Sequence, residues 1–281
     1  MDIGSIAMTQ KSDSRQSFLG RNSEQTLASA RAAVVGLGGG GSHVCQQLAH
    51  LGAGNFLLFD PQRIEDTNLN RLVGATDDDV REHRTKTDIG RRMIKAIRPC
   101  ANVETYPSHW QERAEVLRRA DAIFGCVDSF NERSQLERVA RRYLIPYIDI
   151  GMDVHRHEDE YHVSGQIAVS MPGGPCLWCM GILREDLLTQ EANNYGAAGA
   201  RQQVVWTNGV LASTAVGAFV QLLTPWAKAK PPALLEYDAN RGTVVASNKL
   251  AVMRETCLHF SSPVDFGDPF WSINQLDRIV K

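Results

Sequence analysis

A run of glycines followed by one aspartate carries the clearest chemical signal in this chain. Gly36, Gly38 and Gly41 stand at G-x-G-x-x-G spacing, with Gly39 and Gly40 between them. Without side chains there, the backbone can approach a phosphate closely, and the open N–H groups of a helix starting at that point face it. Asp60 comes nineteen residues after Gly41, the separation at which an acid meets a ribose hydroxyl. A structural strand-to-helix turn would use the glycines alone; the acid makes a nucleotide site the stronger reading. Residues beyond Asp60 narrow the choice of nucleotide. Asn68-Leu69-Asn70-Arg71, Lys86 and Gly125-Cys126-Val127-Asp128 supply an amide, two cations and a carboxylate. Nicotinamide chemistry needs none of these, whereas ATP with its Mg2+ would use them all. Cations offset charge that builds on a phosphate, and a hard carboxylate oxygen suits Mg2+. Each has a plainer reading: Arg71 and Lys86 as solvated surface cations, Asp128 as a helix cap.

A second cluster has different chemistry. Cys176-Leu177-Trp178-Cys179 has the spacing with which two thiolates bind one face of a tetrahedral Zn2+ ion, and Cys257-Leu258-His259 comes far downstream. His259 either completes a Cys3His set or stands by while another residue serves. The other cysteines, Cys45, Cys100 and Cys126, read as buried packing.

The elements that must position these groups alternate. Ser14–Ser29 reads as a helix leading into the strand 32–35, and 42–51 continues at helical spacing. The strand 56–59 ends at Asp60. Further strand and helix pairs come after it: a helix over 86–97 with a strand at 103–106, 114–119 with 122–126, and 132–143 with 146–150. Such alternation predicts an α/β fold, a Rossmann-like, mostly parallel sheet with helices on both faces and its ligand crevice at the strands' carboxyl ends. After Gly151 the pattern changes. The charged run 155–160 reads as a hairpin tip before the strand 163–170, giving an antiparallel extension in the C-terminal half. Arg184–Gln203 reads as a mobile loop, and 233–238 and 244–252 as closing strands. Residues 1–13 and a tail from 261 are polar.

With 281 residues, 43% hydrophobic content and a formal net charge of −2, the chain can bury a sizeable core, and nothing suggests a nucleic-acid or basic membrane surface. Residues 204–223 are apolar, yet Thr207, Asn208, Ser213 and Thr214 favour a buried helix over a membrane span. Six cysteines without an export signal imply reduced thiols and a cytoplasmic location.

The chain resembles the ThiF/MoeB-type adenylating enzymes, bacterial relatives of ubiquitin-activating enzymes. The likeness runs from Ser14-Arg15-Gln16 through GLGGGGSH, the N-L-x-R of Asn68–Arg71, Lys86, CVDSFNER, IPYIDIG and PCLWC to LLEYDA. It implies one adenylation domain over 1–281: an N-terminal arm and helix (1–30), a nucleotide-binding half (31–150), a substrate-binding and zinc half (151–260) and a tail. Adenylation of the C-terminal glycine of a ubiquitin-like or sulfur-carrier-like protein is the implied reaction, and a downstream conjugating enzyme an implied partner. Gly36, Gly38, Gly39 and Gly41 would hold the nucleotide with Asn68, Asp60 its ribose, Arg71 and Lys86 the phosphates, and Asp128 the Mg2+. Lys86 is chosen over Lys95 by counting back from Pro99. In a homodimer Arg15 would reach the neighbouring subunit's site, and the helix over 204–223 would pack near the dimer interface. The family supplies C-x-x-C twice, whereas here the second half is C-x-H. Members that pass a ubiquitin-like protein onward carry a cysteine in or after the crossover loop, and 184–205 contains none; adenylation without an enzyme thioester is expected. The alternatives are adenylation of a peptide C-terminus or of a modified tRNA carboxylate and, outside the class, an NAD(P)-dependent dehydrogenase or a catalytically silent binding module.

Overall fold

The computed structural model describes residues 13–193, 202–252 and 257–260. Five strands form the parallel part: β1 (Arg31–Val35), β2 (Asn55–Phe59), β3 (Asn102–Tyr106), β4 (Ala122–Gly125) and the first residues of β5 (Tyr147–His157). β6 (Glu160–Ser170), β7 (Leu234–Asp238) and β8 (Thr243–Ala246) continue the sheet antiparallel, in the order β3-β2-β1-β4-β5-β6-β7-β8. The α/β sheet with its antiparallel C-terminal half is the architecture expected from the alternation.

Period-2 alternation sends side chains to two cores, one on each face of the sheet. Ala32, Val34, Phe56, Leu58 and Phe124 meet α1 (Ser23–Ser29), α2 (Gly39–Leu51), α4 (Lys86–Ile97) and α7 (Val205–Leu223). Ala33, Val35, Leu57, Phe59 and Ile123 meet α5 (Phe130–Arg142), the 3-10 segment Trp110–Arg119 and the turns at 177–183. α7 is apolar enough in length and composition to span a membrane, but its Leu211, Ala212, Ala215 and Phe219 are fully buried in the first core. It is a core helix.

Several local expectations are corrected. The helix over 14–29 breaks at Gly20, whose φ of +123° and contact with Pro225, 2.7 Å from an added Cβ, stop the 3-10 turn Asp13–Leu19 before α1. The segment over 114–119 starts earlier, at Trp110, and is a kinked 3-10 helix with non-helical Arg113. The strand over 244–252 ends at Ala246, and a 3-10 helix, Asn248–Val252, replaces its second half. The loop over 184–203 contains α6 (Glu185–Asn193), a helix that buries no residue and so has no apolar face to read in sequence. The tip over 155–160 is itself mostly strand, turning only at Glu158, with φ 54°, and Asp159. α3 (Asp77–Arg81) is an addition, announced by the capping box Thr76–Asp79. The arm at 1–12 and the tail from 261 lie outside the described residues.

Candidate nucleotide site and cysteine cluster

The sheet reverses its winding between β1 and β4, and the crevice expected there is a cavity of about 1260 Å³. Gly36, Gly38, Gly39, Asp60, Asn68, Arg71, Lys86 and Asp128 all line it.

The glycines answer to different constraints. An added Cβ at Gly41 would meet the Gly36 carbonyl oxygen at 1.9 Å, one at Gly39 the Asn208 amide at 2.3 Å, and one at Gly36 the Cys126 carbonyl oxygen at 2.4 Å. At Gly36 and Gly41 the backbone itself leaves no room, whereas at Gly39 the Asn208 side chain would have to move. At Gly38 an added Cβ meets nothing within 4 Å, so only something entering the cavity would need that position bare. Gly38 is also the N-cap of α2, and no side chain caps the helix. The backbone N–H groups there suit a phosphate.

Asp60 has work inside the protein. Its Oδ2 accepts the Leu37 N–H at 2.7 Å and its Oδ1 the Gln62 N–H at 2.8 Å, bracing the glycine loop against β2. Burial pushes its carboxyl above the usual range, against the pull of Lys86. Each oxygen keeps a lone pair for a ribose hydroxyl. Lys86, the first residue of α4, is buried; its Nζ donates to Gln62 Oε1 at 2.5 Å and its backbone N–H to the Gln62 carbonyl at 3.0 Å. Arg71 Nη1 donates to the Thr67 carbonyl and, at 3.0 Å, to Asn70 Oδ1. Asn68 is turned inward, its Oδ1 accepting the Glu65 N–H at 3.3 Å, so the amide braces the turn that carries Arg71.

Asp128 stands exposed just before α5 and accepts from Gln203 Nε2 at 3.1 Å. Its helix is capped by Ser129, whose Oγ accepts the Glu132 N–H; the cap is therefore the next residue, and the plain reading of Asp128 fails. Arg15 is exposed and does not line the cavity of its own chain.

Residues not singled out from sequence complete the cavity. Arg133 is buried, paired with Asp149 and donating to the Ile150 carbonyl at 3.1 Å. Burial raises the Asp149 carboxyl, against the opposing guanidinium. Glu191 of α6 accepts the first N–H groups of α5, Phe130 at 3.2 Å and Asn131 at 2.9 Å, where a helix favours an anion. Arg133 lay within the CVDSFNER motif; Gln62 and Glu191 had no signal in local sequence.

Cys176, Cys179, Cys257 and His259 converge, their ligand atoms all within 4.8 Å of one another. The Sγ–Sγ distances are 3.5 Å (Cys176–Cys179) and 3.6 Å (Cys179–Cys257); His259 Nδ1 lies 3.5 Å from Cys176 Sγ and 3.4 Å from Cys179 Sγ. A Zn2+ tetrahedron with Zn–S near 2.3 Å and Zn–N near 2.0 Å has edges of about 3.5–3.8 Å. The donor set fits that ion, and His259 belongs to the cluster. Glu137 Oε1 accepts the Leu177 N–H at 2.9 Å and the Ser170 hydroxyl at 2.6 Å, and Arg141 Nη2 holds the Gly174 and Pro175 carbonyls. α5 thus grips the first cysteine turn. Of the remaining cysteines, Cys45 is buried, and burial drives the thiols of Cys45 and Cys126 far up. Cys100 is exposed, contrary to the packing role expected of it, because it comes after the end of α4 in the turn before β3.

A parallel sheet with a glycine-loop cavity at its switch point, flanked by a cysteine cluster, defines a nucleotide-binding α/β protein. The chain belongs to the ThiF family, whose profile matches residues 12–259. It is 30% identical over 164 residues to the SAMP-activating enzyme E1 of Haloferax volcanii (58% of this chain, 57% of that protein). It is 31% identical over 127 residues to the molybdopterin-synthase adenylyltransferase of Haemophilus influenzae (44% and 51%). The chain thus spans between about half and three fifths of the length of these curated relatives. Among solved structures, E. coli MccB with ATP superposes with a TM-score of 0.66 at 20% identity, covering 82% of this chain and 68% of that one. MccB with MccA-N7isoASN gives 0.70 at 21%, covering 86% and 72%. At these identities the superpositions speak for the fold.

Proposed function

We propose that this protein adenylates a C-terminal carboxylate, with the glycine terminus of a ubiquitin-like or sulfur-carrier-like protein as its substrate. The observation that carries the reading is the convergence of the bare Gly38 turn, Asp60, Arg71, Lys86 and Asp128 on one cavity. A carboxylate oxygen of the substrate attacks the α-phosphorus of ATP, the bond from that phosphorus to the bridging oxygen breaks, and pyrophosphate leaves with the electron pair. The glycine turn and the α2 N–H groups hold phosphate oxygens, and Asp60 orients the ribose through its spare lone pairs. Lys86 exchanges Gln62 for a phosphate oxygen, and Arg71 exchanges the Thr67 carbonyl, offsetting charge as the bond breaks. Mg2+, held by Asp128 in place of the Gln203 amide, would supply further neutralisation. Zn2+ at the cysteine cluster has a structural role, since four protein ligands leave no open position.

Burial keeps Cys45 and Cys126 protonated, exposed Cys100 precedes β3 at the end of the sheet away from the cavity, and 184–205 has no cysteine, so the reaction stops at the acyl adenylate, without an enzyme thioester. The working unit is a cytoplasmic homodimer of single-domain chains in which Arg15 serves the neighbouring site, and a downstream conjugating enzyme accepts the product. The superposition on MccB, whose structures carry ATP or MccA, favours a peptide C-terminus as the second reading.

Exchange of labelled pyrophosphate into ATP, dependent on a small protein ending in glycine, tests the first reading. A peptide supporting exchange where no protein does selects the second, and tight NAD binding without exchange removes both. Mixing Arg15→Ala with Asp128→Ala chains restores part of the activity, since one hybrid site then receives both intact residues. No rescue in demonstrably mixed dimers would remove Arg15 from the site.

A further inference from the structure

The tip of the β5–β6 hairpin carries three histidines that the nucleotide chemistry does not use. His155 and His157 are two apart on β5 and so share a face; His162 is the residue directly opposite His155 on β6. These three alone line a small recess of about 290 Å³. The rings of His155 and His162 have centroids 5.4 Å apart, and those of His157 and His162 6.1 Å. Imidazoles bound tetrahedrally to one ion, with metal–nitrogen bonds near 2.0 Å, have centroids about 5 Å apart. The two measured ring pairs stand wider than that, so closing on one ion asks the rings to rotate inward; His155 and His157 are exposed and His162 half-buried.

The surroundings favour a cation. Between 153 and 162 the hairpin carries four carboxylates, Asp153, Glu158, Asp159 and Glu160, against the single guanidinium of Arg156. Asp153 Oδ2 lies 3.6 Å from His155 Nδ1, an ion-pair distance that adds negative charge beside the rings. The β6 side is held in place: Asn240 accepts the Val163 N–H and donates to the Tyr161 carbonyl, both at 2.9 Å, bracketing His162. The hairpin backbone is therefore set before any ion arrives.

We propose that His155, His157 and His162 form a second metal site, separate from the cysteine cluster, for a divalent ion of intermediate softness such as Zn2+, Ni2+ or Cu2+. The full chain is stripped of metal, and Zn2+ uptake at micromolar free metal is compared between wild type and the His155→Ala/His162→Ala variant. One equivalent more in the wild type is expected, whatever the cysteine cluster binds. Co2+ substituted at that equivalent gives d–d absorption without the thiolate charge-transfer band of a cysteine site, and His157→Ala weakens its binding at least tenfold. The histidines lie outside both cores, and unchanged thermal melting of the variants verifies their fold. Equal uptake by wild type and double variant, or a thiolate band on every Co2+ equivalent, would overturn the proposal.

Discussion

The cavity and the cysteine cluster lie at the two ends of α5, and they treat their polar groups in opposite ways. In the cavity the side chains placed for a ligand, and the start of α5, are already engaged: Asp60 by two backbone N–H groups, Lys86 by Gln62, Arg71 by Thr67, the start of α5 by Glu191 and Asp128 by Gln203. Most of these partners are single hydrogen bonds from polar chain that a phosphate or a metal could replace. At the cluster, three sulfurs and a ring nitrogen face one another at 3.4–3.6 Å, held in place by Glu137 and Arg141 behind them. Under the proposed reaction that contrast is the expected one: a cavity that turns over would keep exchangeable partners, and a structural metal site would converge on one point.

The largest effect separates the protein's own needs from the ligand's. Gly41→Ala drives a Cβ into the Gly36 carbonyl and costs about 3–5 kcal/mol or abolishes folding; urea unfolding measures it. Gly38→Ala, with open space around it, keeps stability within about 1 kcal/mol and yet loses ATP binding by calorimetry. Equal destabilisation of both variants would erase that distinction. Next, Lys86→Ala is expected to lower pyrophosphate exchange by about 10²–10³-fold, with a smaller change in ATP affinity; normal exchange in the folded variant would show that the assigned cation is wrong. Third, wild type is expected to retain about one zinc per chain at the cluster, which Cys179→Ser loses together with about 2–4 kcal/mol of stability. Metal analysis alongside thermal melting checks this, and unchanged stability in the variant would make the cluster's convergence incidental.

The smallest effect concerns the frame of the cavity. Asp79 of α3 is buried and takes a forked ion pair from Arg92 of α4, the helix whose first residue is Lys86. Arg92 holds the Asp79 carboxyl down to about 2. A folded value below the unfolded one, near 3.9, makes a contribution that is whole above about pH 4 and lost as the pH falls through the folded value. Since Arg92 is half-exposed, that contribution is no more than about 2 kcal/mol. Urea midpoints of wild type and Asp79→Asn should converge as the pH falls towards 2; parallel curves would mean that the pair stabilises nothing.

Legibility in sequence tracked covalent proximity. The glycine run, Asp60 and the C-x-x-C work through short spacings, and the continuous apolar runs 32–35 and 56–59 mark buried strands. Lys86 and Asp128 were legible only with a family likeness behind them, because nothing in their neighbours separates them from other surface charges. The groups that engage them were not. Gln62 meets Lys86 across 24 positions and Glu191 reaches α5 across about 60, and such pairings depend on how the elements pack. α6 was missed for a related reason: a helix held by a polar contact has no apolar stripe to betray it.

α5 is a thirteen-residue rod, about 20 Å long at the usual rise per residue. Its first turn borders the cavity, and its Glu137 and Arg141 grip the cysteine turn. A rigid rod fixed at one end transmits any wobble there to the other. Positional error at the cluster therefore becomes error in where the Phe130 and Asn131 N–H groups and the adjoining Asp128 point, and catalysis tolerates little of that. None of the cluster's cysteines lines the cavity, yet under the proposed reaction their ordering would set the aiming precision of the far end.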